Sequence, residues 1–112
     1  MSTNEQSRTR GPFEFRVSDS LEVPLRGHLL RLELSEGTPS MKDLQPGRKL
    51  RVSSPGGERR EITIVGHSAT GGRATQERLD RARQLDLVVS RADAGEGASC
   101  IDIGWLVSGP LG

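Results

Sequence analysis

Histidine, cysteine and serine are the residues with which this chain could do chemistry, and their spacing argues against a catalytic or metal centre. The sequence has two histidines, His28 and His67, and one cysteine, Cys100. They lack the spacing of a zinc site, and no G-x-S-x-G motif places a nucleophile on a strand-to-helix turn. No G-x-x-x-x-G-K-S/T motif is present to cradle phosphates. We therefore expect no enzyme activity, no metal, no cofactor and no nucleotide binding.

Arginine carries most of the positive charge. The chain has 14 Arg, two Lys and 15 acidic residues, for a net charge of +1. This balance argues against a protein that holds nucleic acid by charge alone. The arginines are densest in segment 70–84, which contains Arg73, Arg78, Arg81 and Arg83 together with two acidic residues. The planar guanidinium suits either phosphate or carboxylate, so this segment is a candidate binding loop for RNA or for protein.

Alternating apolar residues predict the elements that position these side chains. In "VPLRGHLLRLELSEG" the leucines Leu30, Leu32 and Leu34 alternate with charged residues, which is the period of a half-buried strand. Pro55 and Gly56 predict a type II turn in a later hairpin. A short, exposed helical turn is expected near 75–83. The predicted strands are 13–17, continued by 21–23 after a polar break at 18–20, and then 28–35, 48–54, 61–66, 85–90 and 99–107.

Six short strands with at most one short helix predict an all-β fold. We expect a closed, six-stranded, mainly antiparallel barrel over 13–108, because closure leaves no open edge. Residues 1–12 are expected to be a disordered arm and 109–112 a tail. The side chains expected inside are Phe15, Val17, Leu30, Leu32, Leu34, Val52, Ile62, Ile64, Val88, Ile101 and Leu106.

The stretch "FRVSDSLEVPLRGHLLRLELSEG" resembles the start of the second domain of elongation factor Tu and other translational GTPases, a six-stranded β-barrel. In that family an Asp is followed eight residues later by the Gly of an Arg-Gly pair and ten residues after that by a second Gly, spacings that Asp19, Gly27 and Gly37 keep. Gly47 and Gly66 fit the glycines of two later strands. Gly27 is expected where the chain turns sharply into a strand, in a conformation with positive φ or with close backbone approach.

Three departures from the family pattern bear on function. Leu25 stands where the family has a glycine before the arginine, Leu21 where an aromatic is common, and Arg83 where a glycine is usual. In elongation factor Tu the neighbourhood of that fifth-strand entry helps to hold the aminoacyl end of tRNA. The resemblance therefore implies the barrel without implying tRNA-end binding.

Two functions remain open at this point. The first is a non-catalytic protein-interaction or accessory module, which sparse aromatics and balanced charge favour. The alternative is an RNA-, tRNA- or ribosome-binding module of the translation apparatus. No apolar run approaches the ~20 residues of a membrane span and no signal peptide is recognisable, so a cytoplasmic protein is expected. The candidate binding residues are one barrel end with Asp19, Arg26, Gly27 and His67, and the loop with Arg73, Arg78, Arg81 and Arg83.

Overall fold

The computed structural model describes residues 12–67 and 75–111, and most of this chain is β-structure. Two helices and two 3-10 turns lie in the connections. The helices are Gln76–Ala82 and Arg91–Ala94, and the 3-10 turns are Met41–Leu44 and Gly97–Ser99. The strands are β1 (Phe13–Val23), β2 (Gly27–Gly37), β3 (Lys49–Ser53), β4 (Arg59–His67), β5 (Gln84–Val89) and β6 (Leu106–Gly109).

The six strands form one antiparallel sheet that closes on itself in the order β1-β2-β5-β4-β3-β6. The short β6 closes the ring, because it pairs with Phe13–Arg16 of β1 on one side and with Arg51–Ser53 of β3 on the other. The predicted all-β class and the antiparallel, ring-closing arrangement are confirmed. The last strand, β6, includes Gly109, one residue beyond the predicted limit of 108.

Strand β1 is continuous, whereas the sequence predicted a break at 18–20. A register shift between Val17 and Asp19 places Ser18 in a bulge, and pairing with β2 resumes at Asp19–Arg31. The polar residues therefore form a bulge that changes the direction of the strand, and they do not end it. Beyond the bulge Ser20 lies opposite Leu30, so a hydroxyl takes the position that a core residue would otherwise hold.

The core is aliphatic with three buried aromatics. Nine of the expected core residues are buried, but Leu34 and Leu106 are only half-buried. The connections contribute several core residues that strand periodicity did not single out, because both ends of the ring have to be covered. Those residues are Met41, Leu44, Leu79, Ala94 and Trp105.

The turn between β3 and β4 differs from the predicted type II turn. The Gly57 N–H donates to the Ser54 carbonyl at 3.0 Å, with Pro55 second in the turn as expected. A type II turn needs positive φ at Gly56, but the positive φ, +99°, is at Gly57. The proline therefore begins a turn whose left-handed residue comes one position later, the arrangement of a three-residue hairpin loop with a bulge.

The closing segment was predicted as a strand over 99–107, and most of it is a loop. Here the Arg60 guanidinium lies 5.3 Å from the Trp105 ring centroid and donates to the carbonyls of Ala94 (2.6 Å) and Ser99 (2.7 Å). These bonds hold residues 94–105 across one end of the ring, so that β6 begins only at Leu106. The connection between β5 and β6 also contains the Arg91–Ala94 helix.

Two expected regions lie outside or only partly inside the described residues. Of the predicted arm 1–12, only Pro12 is described, so that prediction lies outside the described residues. The helical turn expected near 75–83 is confirmed as Gln76–Ala82, with the Thr75 hydroxyl accepting from the Arg78 N–H. Leu79 packs this helix into the core while its other side chains stay largely exposed.

Candidate functional site

The turn between β1 and β2 has an unusual residue at its most exposed point. The Arg26 N–H donates to the Val23 carbonyl at 3.0 Å, with Pro24 second in the turn. The third residue, Leu25, has φ of +67° and its side chain is fully exposed. Glycine is the usual residue at this position, because a Cβ is disfavoured at positive φ. A bulky aliphatic side chain is therefore held in a strained conformation and presented to solvent.

Gly27 fixes this turn against the neighbouring strand. Its φ is +131°, and a Cβ at this position would lie 2.3 Å from the Val89 carbonyl oxygen of β5. The expected positive φ and the expected close backbone approach are both confirmed. The hairpin can therefore lie against the end of β5 only if residue 27 has no side chain.

Gly37 is the second glycine of the spacing noted in the sequence. It ends β2 with φ of +92°, and a Cβ there would lie 2.2 Å from the Pro12 carbonyl oxygen. The two glycines thus mark the two ends of β2, and both are required by backbone approach. Their ten-residue spacing therefore spans the whole of β2, from Gly27 to Gly37.

A polar cluster lies beside the turn, at the mouth of the ring. The Ser20 hydroxyl donates to the Ile101 carbonyl at 2.7 Å, and His28 Nε2 lies 2.6 Å from the same oxygen atom, Ser20 Oγ. Because the hydroxyl has only one hydrogen, His28 donates in this contact. Burial lowers the pKa of His28, and Glu22, which forms an ion pair with Arg91, opposes that shift. An activated serine needs the opposite arrangement, in which the histidine accepts the hydroxyl proton.

The predicted end of the barrel is not one site. Arg26 lies at the β1–β2 turn and Asp19 on the outer face of β1, beside Arg31. His67 lies at the other end of the ring, where its Nε2 is 2.7 Å from the Leu44 carbonyl oxygen. The turn lies against Val89 of β5, whereas His67 is paired opposite Leu87, and β4 runs away from the turn as it approaches His67.

The arginine-rich segment is a separate surface. Arg78 and Arg81 lie on the Gln76–Ala82 helix, where Arg81 pairs with Glu77 at 3.0 Å. Arg83 ends the helix with φ of +56°, and its N–H donates to the Leu79 carbonyl. Arg73 lies outside the described residues. The helix therefore presents its arginines at the end of the ring that also holds His67.

A third surface was not predicted from the sequence. Lys49, Arg51 and Arg59 project from the outer face of the β3–β4 hairpin, and all three are exposed. Within the described residues their side chains form no ion pair or hydrogen bond. The sequence held no specific signal for this surface, since ion pairing depends on which strands become neighbours.

Other kinds of site receive no support from the described part of the chain. Residues 12–67 and 75–111 contain no group of three or more His, Cys, Asp or Glu placed to hold a metal ion. None of the helices in these ranges is long and apolar enough to cross a membrane.

Comparison with known proteins gives no relative on which to base a function. No protein-family model matches the chain, and no curated protein matches its sequence. Function has to be argued from the surfaces themselves.

Proposed function

We propose that this chain is a non-catalytic, cytoplasmic binding module whose partner is another protein, and that it docks through the β1–β2 turn. The observation that carries the proposal is Leu25, which combines positive φ with full exposure. A non-glycine residue in the left-handed region costs about 1–2 kcal/mol, and an exposed leucine forgoes about 1.5–3 kcal/mol of burial. A partner that buries Leu25 recovers the second of these costs.

The turn has the rigidity that an interface anchor needs. Pro24 fixes one φ, the Arg26 N–H closes the turn, and Gly27 locks it against β5. A side chain that is already held in place loses little conformational entropy on binding. Arg26 is exposed beside Leu25, and interfaces are enriched in arginine next to apolar anchors.

The proposed fold type is the barrel of translation-factor second domains. The closed antiparallel ring supports it, as do the glycines that begin and end β2. Leu25 occupies the place of a family glycine, in the same turn. A module that keeps the barrel but presents a leucine at this turn is suited to a different partner.

RNA, tRNA or ribosomal RNA is the alternative partner, and the exposed arginines of the Gln76–Ala82 helix favour it. Two observations weigh against it. The chain's three aromatics all lie in the described part and are buried, so they cannot stack on bases. The net charge is only +1.

Photo-crosslinking tests the docking point. A photoreactive amino acid is placed at Leu25 and, as a matched control, at Val65, another exposed aliphatic residue, on the far hairpin. We expect a discrete protein adduct from position 25 alone, resistant to ribonuclease. Equal adducts from both positions, or adducts that ribonuclease removes, would contradict the proposal.

A second experiment separates binding from stability. In a pull-down, Leu25→Gly should lose the partner although the variant is at least as stable as the parent, because glycine relieves the strain at positive φ. Loss of stability together with loss of binding would instead indicate a structural role for Leu25. For the RNA alternative, changing Arg78, Arg81 and Arg83 together to Ala should flatten the salt dependence of RNA binding.

A further inference from the structure

The outer face of the β3–β4 hairpin has a regular row of cations. Lys49 and Arg51 are two residues apart on β3, and Arg59 on β4 lies opposite Ser53, a further two residues along. All three positions face outward, because the intervening Leu50 and Val52 are in the core. The cations therefore recur at each two-residue step along the hairpin. We name Lys49, Arg51 and Arg59 the basic face.

The basic face is not neutralised within the described residues. Glu61 is the cross-strand partner of Arg51, yet the two side chains form no ion pair within 4.0 Å. Three cations thus stand around one carboxylate. Exposed like charges at neighbouring positions repel one another, and the cost falls when an anion is placed among them.

We propose that the basic face binds an extended acidic segment of a protein partner, with carboxylates at alternate positions. Alternate side chains of an extended peptide recur about every 7 Å, which is also the step between Lys49 and Arg51 along β3. Each carboxylate of such a segment would face one cation of the row. The inference rests on the proposed function only in that the partner is a protein, and it concerns a surface separate from the β1–β2 turn.

A shallow cleft continues the row beyond Lys49. It has a volume of about 380 Å³ and is lined by Gly47, Arg48, Lys49, Glu61 and Leu111. Leu111 gives it an apolar wall, and Gly47 leaves space because it has no side chain. The cleft offers room for one side chain at the end of the acidic segment.

Nucleic acid fits this face less well than an acidic peptide. Single-stranded RNA is held by stacking on aromatic side chains, and all three aromatics of this chain, each within the described residues, are buried. The face has three cations, whereas a double helix displays one phosphate charge per ~1.7 Å and is bound by many basic residues. The peptide matches both the number and the step of the charges.

Fluorescence anisotropy at low ionic strength tests the assignment. The probes are a labelled Glu-Ser-Glu-Ser-Glu-Ser peptide, a Glu-Glu-Glu-Ser-Ser-Ser peptide of equal charge, and a short polyuridylate. The test variant combines Lys49→Thr, Arg51→Thr and Arg59→Thr. The control combines Arg78→Gln, Arg81→Gln and Arg83→Gln, which removes the same charge elsewhere. Melting temperatures show that both variants fold.

We expect the alternating peptide to bind the parent protein more tightly than the block peptide does. The test variant should weaken that binding about tenfold and the control less than about twofold, since each exposed ion pair contributes a small factor. Undetectable peptide binding, equal losses in both variants, or tighter binding of polyuridylate at the same face would overturn the proposal. None of these results depends on Leu25, so a failure of this inference would leave the proposed docking through the β1–β2 turn untouched.

Discussion

The β1–β2 and β3–β4 hairpins lie on opposite sides of the ring, and both of their turns have a proline in second position. The β3–β4 turn places its left-handed conformation at Gly57, a residue that adopts it without strain. The β1–β2 turn places it at Leu25, and then uses Gly27 to approach the β5 backbone. Gly57 is therefore needed only for its backbone conformation, whereas Gly27 is needed both for its positive φ and for the close approach to β5.

The outer faces of the same hairpins differ in their electrostatics. On the β1–β2 side Arg16 pairs with Glu33 at 3.5 Å, and Arg31 reaches Asp86 of β5 through Nε at 3.1 Å. The hydrogen bond to Asp86 and its charge raise the pKa of Arg31. The basic face of β3–β4 has no such pairs among the described residues. Arg16 and Arg31 thus form ion pairs within the sheet, whereas the three cations of the basic face form none among the described residues.

The largest expected effect separates the two kinds of glycine. Gly27→Val should lower the free energy of unfolding by about 3 kcal/mol, because strain at positive φ adds to a clash with the Val89 carbonyl. A Cβ at position 57 would have no atom within 4 Å. Gly57→Val should therefore lower the free energy of unfolding by only about 1–2 kcal/mol, from the strain at positive φ alone. Urea denaturation of both variants measures the difference. Equal losses would show that the close approach of Gly27 to β5 is unimportant.

The ion pair between β2 and β5 sharpens the electrostatic contrast. Asp86→Asn should lower the free energy of unfolding by about 0.5–1 kcal/mol, since it breaks a partly exposed, two-bonded pair with Arg31. Glu61→Gln on the basic face should change it by about 0.2 kcal/mol or less, because Glu61 has no ion-pair partner there. Thermal melts at low and high salt measure both effects. A larger loss of stability from Glu61→Gln than from Asp86→Asn would mean that the charges of the basic face, and not those of the β1–β2 side, are paired.

Relief of strain at the β1–β2 turn should give a smaller change of opposite sign. Leu25→Gly should raise the free energy of unfolding by about 0.5 kcal/mol, because the strain at positive φ exceeds the entropy that glycine adds to the unfolded chain. Gly57 already occupies the left-handed position of the other turn, so Gly57→Leu should be destabilising. Denaturant midpoints of the two reciprocal variants test this. A destabilised Leu25→Gly variant would mean that Leu25 makes favourable contacts in the free protein.

The smallest expected effect is the pH dependence at His28, close to the β1–β2 turn. Burial lowers the pKa of His28 below 6.5 in the folded chain, whereas the unfolded chain keeps the ordinary value. The unfolded state therefore binds the proton more readily, and stability should fall as the pH drops through 6.5 toward the folded pKa. His28→Gln should remove this part of the pH dependence of the melting temperature. An unchanged profile would assign the effect to other groups.

The regular strands could be predicted from alternation, and the connections could not. Leu30, Leu32 and Leu34 alternate with charged residues, and β2 follows with its core face as expected, although Leu34 at its end is only half-buried. The 99–107 segment has a similar apolar content, yet Arg60 fixes most of it as a loop through bonds to carbonyls far along the chain. Long-range hydrogen bonds of this kind leave no local pattern. Prediction of the candidate site was limited in the same way, because the sequence pattern grouped Arg26 and Gly27 with His67 without any information on which strand ends lie together.

The sequence by itself determined the period of the strands and the turn positions marked by proline and glycine. These properties depend on each residue and its nearest neighbours, through dihedral sterics and the alternation of side chains. Only the tertiary structure decided which strands are adjacent, and with that which charges are neutralised. Among the described residues, Arg16 and Arg31 form ion pairs with carboxylates on adjacent strands, whereas Lys49, Arg51 and Arg59 form none, even though Glu61 lies opposite Arg51. Pairing falls off with distance in space, which only the closed ring sets.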